Sequence, residues 1–70
     1  MADRMYALNE LVGTSKVGIE EAIRNAITRA HKRIDHLDWF EVTQVRGYIR
    51  DGNVDHFQVT MKVGSRLEDS

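Results

Sequence analysis

Two β-rich runs separated by an Asp-Gly dipeptide are the feature that most limits which folds this chain can adopt. The runs cover Trp39–Arg50 and Val54 to about Leu67, and Asp51-Gly52 lies between them. Asp-Gly readily adopts the two positive φ angles that a two-residue hairpin turn requires, so the pattern predicts an antiparallel hairpin. The second run alternates apolar with polar residues, which predicts a core face and an open face, the latter carrying His56, Gln58, Thr60 and Lys62.

The first strand of this hairpin changes its alternation in the middle. Phe40 and Val42 are two residues apart, but the next apolar residue is Val45. Because a step of three breaks the period of two, the sequence predicts a β-bulge near Thr43-Gln44. Beyond the bulge, Val45 and Ile49 are expected to face the helix. The open face of this strand is then expected to carry Trp39, Glu41, Arg46 and Tyr48.

A helix is predicted from Ile19 to about Leu37, because apolar residues recur there at steps of three and four. Acidic residues occupy its predicted first turn and basic residues its predicted end, which suits the helix dipole. The apolar stripe is rich in alanine, so the helix is expected to pack close to a sheet. It consists of Ile19, Ala22, Ile23, Ala26, Ile27, Ala30, Ile34 and Leu37.

The segment before the helix completes the predicted fold. Met5–Val12 is mostly apolar and is predicted to be a strand, followed by a turn at Gly13–Ser15 that carries N-cap side chains. The predicted element order is therefore β-α-β-β. This is an α+β fold in which a three-stranded antiparallel sheet has one helix packed on one face.

Length and cysteine content point to self-assembly. The chain has 70 residues and no cysteine, so residues 1–70 are predicted to form a single domain without a disulfide. A domain of this size buries only about 60% of its unfolded surface and usually needs further support. The three histidines are scattered, and no metal site is predicted. Oligomerisation is the remaining source of support.

Charge and hydropathy limit the class of partner. The formal net charge is -1, which suits neither a nucleic-acid-binding nor a membrane-surface protein. No apolar run approaches the roughly 18 residues of a spanning helix, and the first four residues do not lead into a secretory signal. We therefore expect a cytoplasmic protein with no nucleic-acid and no membrane partner.

The sequence contains no recognisable catalytic arrangement. Its serines lack a nucleophile-elbow motif. Gly13-Thr14-Ser15 lacks the spacing and the lysine of a phosphate-binding loop. We therefore expect that the protein is not an enzyme and that its function is to bind.

Four residues are candidates for ligand binding, and each has a plainer interpretation. Trp39, the one tryptophan, is either a packing residue or a platform on which a planar ligand stacks. Gln58 is either an ordinary polar residue or an amide that offers a donor and an acceptor to a ring edge. Arg46 and Arg66 are either solvated or ion-paired, or they bind the phosphate group of a ligand.

The order and spacing of several short segments resemble the dodecin family, over nearly the whole chain and without a gap. The resemblance implies β-α-β-β subunits that assemble into a hollow homododecamer and bind flavins in pairs, mainly flavin mononucleotide (FMN). The segments are Leu11-Val12-Gly13-Thr14-Ser15, Leu37-Asp38-Trp39-Phe40-Glu41-Val42, Val45-Arg46-Gly47, His56-Phe57-Gln58-Val59, Lys62-Val63-Gly64 and Arg66-Leu67-Glu68.

The resemblance also implies a role for each candidate residue. Trp39 matches the tryptophan that stacks on flavin across a two-fold axis, and Gln58 matches the glutamine that bonds the isoalloxazine edge. Arg46 and Arg66 match arginines associated with phosphate groups, either of FMN or of coenzyme A. The implied function is storage and sequestration of flavin and protection from light. Ser65 departs from the pattern, because an aromatic residue is expected before the second arginine.

Three other functions remain open at this point: a binding module for coenzyme A or another nucleotide-like ligand, a purely structural oligomer, and a flavoenzyme. The hairpin itself adds one geometric expectation. Gln58 should lie opposite about Val45, roughly six residues or on the order of 20 Å along the strand from Trp39. One flavin is then expected to reach both Trp39 and Gln58 only across a subunit boundary.

Overall fold

The computed structural model describes residues 3–67 and contains four regular elements in the order β-α-β-β. Strand β1 spans Tyr6–Ser15, helix α1 spans Ile19–His31, strand β2 spans Leu37–Arg50 and strand β3 spans Asn53–Arg66. The strands form an antiparallel sheet in the order β1-β3-β2, so β3 is the central strand. The predicted α+β fold is confirmed.

The predicted hairpin joins β2 to β3. Asp51 has φ 53 and Gly52 has φ 78, both in the left-handed region that a type I′ turn requires. The predicted bulge is also confirmed, because the pairing register shifts between Val42 and Gln44. The structure contains two further register shifts that the sequence does not predict, one between Leu37 and Trp39 and one between Tyr48 and Ile49.

Helix α1 is shorter than predicted, since it ends at His31 rather than near Leu37. The amide of Ile34 still donates to the carbonyl of Ala30 at 2.9 Å, which closes the last turn. His36 then adopts φ 62 and directs the chain into β2. Leu37 consequently belongs to the sheet, although its spacing continues the helical stripe.

Strand β1 is longer than predicted, because Gly13–Ser15 pairs with β3 instead of forming a turn. Ser15 nevertheless organises the connection to the helix. Its Oγ accepts hydrogen bonds from the amides of Val17 at 2.9 Å and Gly18 at 3.4 Å. Gly18, rather than a residue of the predicted turn, is the N-cap of α1.

The core lies between α1 and the central strand. Val59, Met61 and Val63 of β3 are fully buried, and so is Ala22 of α1. Gly13 of β1 allows the helix to approach closely, because a Cβ at this position would collide with the carbonyl oxygen of Ala22. Around this cluster pack Leu11, Ile23, Ala26, Ile27 and Leu37. The alanine-rich stripe thus packs as close to the sheet as the sequence predicts.

Ser65 lies at one end of this core. It is 6% exposed and pairs with Ala7 on one side and with Leu37 on the other. Because serine is small, few side-chain atoms fill this end of the core.

Strand β2 is largely uncovered, and the chain is elongated. Helix α1 packs against β1 and β3, whereas every residue of β2 after Leu37 is exposed. The prediction that Val45 and Ile49 face the helix is therefore wrong, because α1 lies over the other two strands. The radius of gyration is 14.7 Å and the principal extents are 56 × 20 × 13 Å, against about 11 Å expected for the radius of a compact domain of this length. Among residues 3–67, no helix is long and apolar enough to cross a membrane.

Candidate functional site

All four candidate residues lie on the open face of the sheet, which is the face turned away from α1. Trp39 pairs with Gly64 and Arg46 pairs with Gln58, while Arg66 pairs with Tyr6. Directly opposed residues of antiparallel strands project to the same face, and alternate residues along β3 share that face. The prediction that Trp39, Arg46 and Gln58 share one face is therefore confirmed.

Trp39 rests on the backbone of the central strand. A Cβ built at Gly64 would collide with indole atoms Cε2, Cζ2 and Nε1 of Trp39, so the ring occupies the space that any side chain at Gly64 would need. Tyr6 of β1 approaches from the far side, with ring centroids 6.3 Å apart and an interplanar angle of 62°. Trp39 thus spans the sheet from β2 to β1 and still remains 42% exposed.

Arg66 lies at the same end of the open face as Trp39. Its Nη2 is 3.5 Å from Nδ1 of His36, and its backbone amide donates to the carbonyl of His36 at 2.9 Å. His36 has the left-handed φ of 62 described above. The connection between α1 and β2 therefore anchors the end of β3 that carries Arg66.

Gln58 and Arg46 lie side by side toward the hairpin. They are directly paired, so the prediction that Gln58 faces about Val45 is one residue short. Nη2 of Arg46 donates to Oε1 of Gln44 at 2.9 Å, which orients the guanidinium. Gln58 is partly buried, and its amide makes no hydrogen bond within residues 3–67, which leaves it available to a ligand.

A second aromatic pair follows in the direction of the hairpin turn. Tyr48 and His56 are directly paired, and their rings stack with centroids 4.5 Å apart at an interplanar angle of 14°. Nδ1 of His56 lies 2.6 Å from Oδ2 of Asp55. The open face near the turn therefore combines a flat ring pair with an amide and a guanidinium.

The candidate residues thus form two groups at opposite ends of the open face. Trp39 and Arg66 are at one end, and Arg46 and Gln58 are at the other. Gly64, the partner of Trp39, is six residues from Gln58 along β3, or about 20 Å in an extended strand. The pairing register agrees with the predicted separation of about six residues, and in an extended strand such a separation is longer than a ring-sized ligand.

A groove of about 640 Å³ lies elsewhere, between α1 and β1. Its walls include Leu11, Val12, Arg29 and Lys32, and none of the four candidate residues. Arg29 and Lys32 lie at the C-terminal end of α1, where basic residues complement the helix dipole, so no ligand is needed to account for them. Within residues 3–67, no cluster of three or more acidic, histidine or cysteine side chains could hold a metal ion.

Two residues at the Trp39 end of the open face, Gly64 and Tyr6, are not among the predicted site residues. Gly64 carries a signal that could reveal it, since a glycine inside a strand often marks close approach of another group. Its partner, however, depends on the unpredicted register shift between Leu37 and Trp39. Tyr6 carries no such signal, because its contact with Trp39 exists only across the width of the sheet.

Comparison with known proteins identifies relatives over nearly the whole chain. The family model described as Dodecin matches residues 5–68. A curated dodecin from Thermus thermophilus is 49% identical over 67 residues, which are 96% of this chain and 97% of that protein.

Solved structures agree with this result. Dodecin from Streptomyces coelicolor is 56% identical with a TM-score of 0.92, and the match covers 100% of both chains. Dodecin from Streptomyces davaonensis is 50% identical with a TM-score of 0.92, covering 97% of this chain and 100% of that chain. Solved mutants of the T. thermophilus dodecin, with TM-scores from 0.90 to 0.91, replace a tryptophan by phenylalanine or one of two arginines by alanine.

Proposed function

This chain belongs to the dodecin family, and on that basis we propose that it binds, sequesters and stores flavin, mainly FMN, as a hollow homododecamer. In this proposal, flavins are held in pairs between symmetry-related Trp39 side chains. Gln58 orients the isoalloxazine ring, and Arg46 and Arg66 favour a phosphorylated ligand. The protein acts in the cytoplasm as a store rather than as an enzyme.

The placement of Trp39 is the observation that carries the proposal. The indole lies against the Gly64 backbone, while 42% of the residue stays exposed. A large ring already positioned at the surface offers stacking area without losing much conformational freedom on binding. An isoalloxazine ring is flat, extended and electron-poor, so it suits this surface.

Assembly supplies the contact that one chain cannot make. Trp39 and Gln58 are about 20 Å apart along the sheet, so a flavin stacked on one chain's Trp39 takes its hydrogen bonds from Gln58 of another. The radius of gyration of 14.7 Å and the exposed β2 strand support such assembly. Closed symmetry is the general outcome for homo-oligomers, and the number twelve comes from the family.

The same geometry accounts for protection from light. An indole in van der Waals contact can donate an electron to a photoexcited flavin, and fast return of the electron dissipates the excitation. A flavin placed between an indole and a second flavin has both ring faces covered, so no face is left for a substrate. Storage and quenching therefore follow from one arrangement, and catalysis does not.

Titration of the flavin-stripped protein with FMN tests the proposal. Flavin fluorescence should be quenched and should saturate near one FMN per chain, in a particle that light scattering sizes at about twelve chains. An intact assembly that leaves FMN emission unchanged would contradict it and would favour a purely structural oligomer. Turnover of a nicotinamide cofactor by the loaded protein would favour a flavoenzyme.

A second candidate ligand, coenzyme A, is favoured by the distance between the two arginines. Arg66 lies eight residues along β3 from Gln58, the partner of Arg46, or about 26 Å. One phosphate group therefore cannot contact both arginines of the same chain, and two anion sites can coexist. Competition between FMN and coenzyme A distinguishes one shared site from two separate sites.

A further inference from the structure

The stacked pair of Tyr48 and His56 has no role in the flavin site as proposed above. Its rings are 4.5 Å apart at 14°, which is close to parallel. Both residues lie on the open face, and His56 is two residues from Gln58 along β3. The pair is therefore next to the Gln58 end of the candidate site.

The orientation of this pair is fixed by its neighbours. Nδ1 of His56 donates to Oδ2 of Asp55 at 2.6 Å, and Oδ1 of Asp55 lies 3.8 Å from Nε of Arg50. Asp55 is itself the extra residue at the register shift between Tyr48 and Ile49. A ring pair that is already oriented loses little conformational freedom when a further ring stacks on it.

Tyr48 presents a second, uncovered ring face. His56 covers one face of the phenol, whereas Tyr48 lies on the edge strand β2 and is 45% exposed. Arg46 is two residues away on the same face, or about 7 Å, and Gln44 already orients its guanidinium. A flat ring beside an oriented guanidinium matches the base and the phosphate of a nucleotide.

We propose that the Tyr48–His56 pair binds the adenine ring of a nucleotide ligand whose phosphate is held by Arg46. The inference rests on the proposed function, because the ligand occupies the same face as the flavin. The adenine belongs either to flavin adenine dinucleotide (FAD) or to coenzyme A that takes the place of FMN at Arg46. A third ring then extends the stack that His56 and Tyr48 begin.

Calorimetric titration of the assembled, flavin-stripped protein with FMN and with FAD tests the first source. Titration of the same flavin-stripped protein with coenzyme A tests the second. Tyr48→Thr removes the ring but keeps a residue that suits an exposed strand, and Tyr48→Phe is the matched control that keeps the ring. Stacking of one base predicts a Tyr48→Thr loss of roughly 5- to 150-fold in affinity for the adenine ligand.

The expected result is a preference for FAD over FMN, or binding of coenzyme A, that Tyr48→Phe retains and Tyr48→Thr loses. FMN affinity should stay unchanged in both variants, which also shows that they fold and assemble. If FAD binds no more tightly than FMN and Tyr48→Thr leaves coenzyme A binding unchanged, the adenine inference is overturned while FMN storage stands. Failure of FMN itself to bind would overturn the proposed function instead.

Discussion

The indole of Trp39 occupies the space above the backbone of Gly64, its partner on the central strand, where a Cβ would have to lie. Because Gly64 has no side chain, the ring can cross β3 and reach Tyr6 on β1. The orientation of the proposed flavin platform is thus set by a residue that need not contact the flavin.

Replacing Gly64 by alanine should displace Trp39. The added methyl group would collide with three indole atoms, so the ring must swing off the sheet. We expect weaker flavin quenching and an FMN affinity lower by roughly tenfold or more, which is the scale of a lost ring stack.

Gly47→Ala is the matched control for this variant. A Cβ at Gly47 would lie 3.4 Å from the carbonyl oxygen of His56, which is ordinary contact. FMN binding and tryptophan emission should therefore stay close to wild type in Gly47→Ala. Equal binding by the two alanine variants would show that Gly64 does not position the platform.

Replacing Trp39 by alanine should remove the platform without perturbing the core, since the residue is already 42% exposed. FMN affinity should fall, and the emission of any flavin that still binds should recover. Steady-state fluorescence during titration measures both effects. Unchanged affinity and quenching would refute the stacking role of Trp39.

Mixing two inactive variants tests whether one flavin site draws on two chains. Trp39→Ala and Gln58→Ala chains, refolded together in equal amounts, should restore about one quarter of the Trp39–Gln58 pairings, since each partner is native in half of the chains. The titration amplitude should rise above that of either variant alone. Chains carrying both substitutions, refolded by themselves, are the control and should bind no better than the weaker variant.

If each chain built its own site, every chain in the mixture would carry a defect. The mixture would then show no recovery, and the subunit-boundary hypothesis would fall.

Arg46→Ala should reduce the preference for FMN over riboflavin, which lacks the phosphate. Hydrogen bonds to a charged group contribute about 1.5–3 kcal/mol, so the ratio of the two dissociation constants should change by roughly 10- to 150-fold. Arg24→Ala is the control, because Arg24 is exposed on the helix and pairs with Glu20. A preference that survives in Arg46→Ala would assign the phosphate to another cation, and the same titration of Arg66→Ala would test Arg66.

Gly13→Ala should destabilise the subunit itself. Its Cβ would meet the carbonyl oxygen of Ala22 and the methyl group of Ala26, which forces the helix off the sheet at a cost of about 1–3 kcal/mol. Gly47→Ala is again the control, because its Cβ would make only an ordinary contact, 3.4 Å from the carbonyl oxygen of His56. Thermal unfolding at one fixed chain concentration compares the two, and equal midpoints would mean that the helix adjusts without cost.

The sequence is sufficient for the fold because its local signals agree with one another. Three local signals each predict a feature that the structure contains. The turn is predicted by Asp51-Gly52, the buried face of β3 by the alternation around Met61, and the β-bulge by the step from Val42 to Val45. The helix end is misjudged because Leu37 continues the helical spacing while packing from the sheet. A buried residue keeps its apolar character in either element, so periodicity alone cannot place the boundary.

The site is only partly predictable for a different reason. Alternation is enough to place Trp39, Arg46 and Gln58 on one face. The seat of Trp39 on Gly64 and the stack of Tyr48 on His56 depend on pairing between strands. That pairing is shifted by bulges whose number the sequence does not reveal.

Because β2 is exposed, the stability of the folded subunit should depend on chain concentration. Strand β2 has 14 residues, nearly all exposed, and forms one edge of the sheet. In a newly synthesised chain, such an edge can pair with a strand of another chain. In an obligate oligomer, stability cannot be separated from the concentration of the chain. If the proposed dodecamer is obligate, dilution should dissociate it and unfold its subunits together, so that the proposed flavin storage requires a threshold level of synthesis.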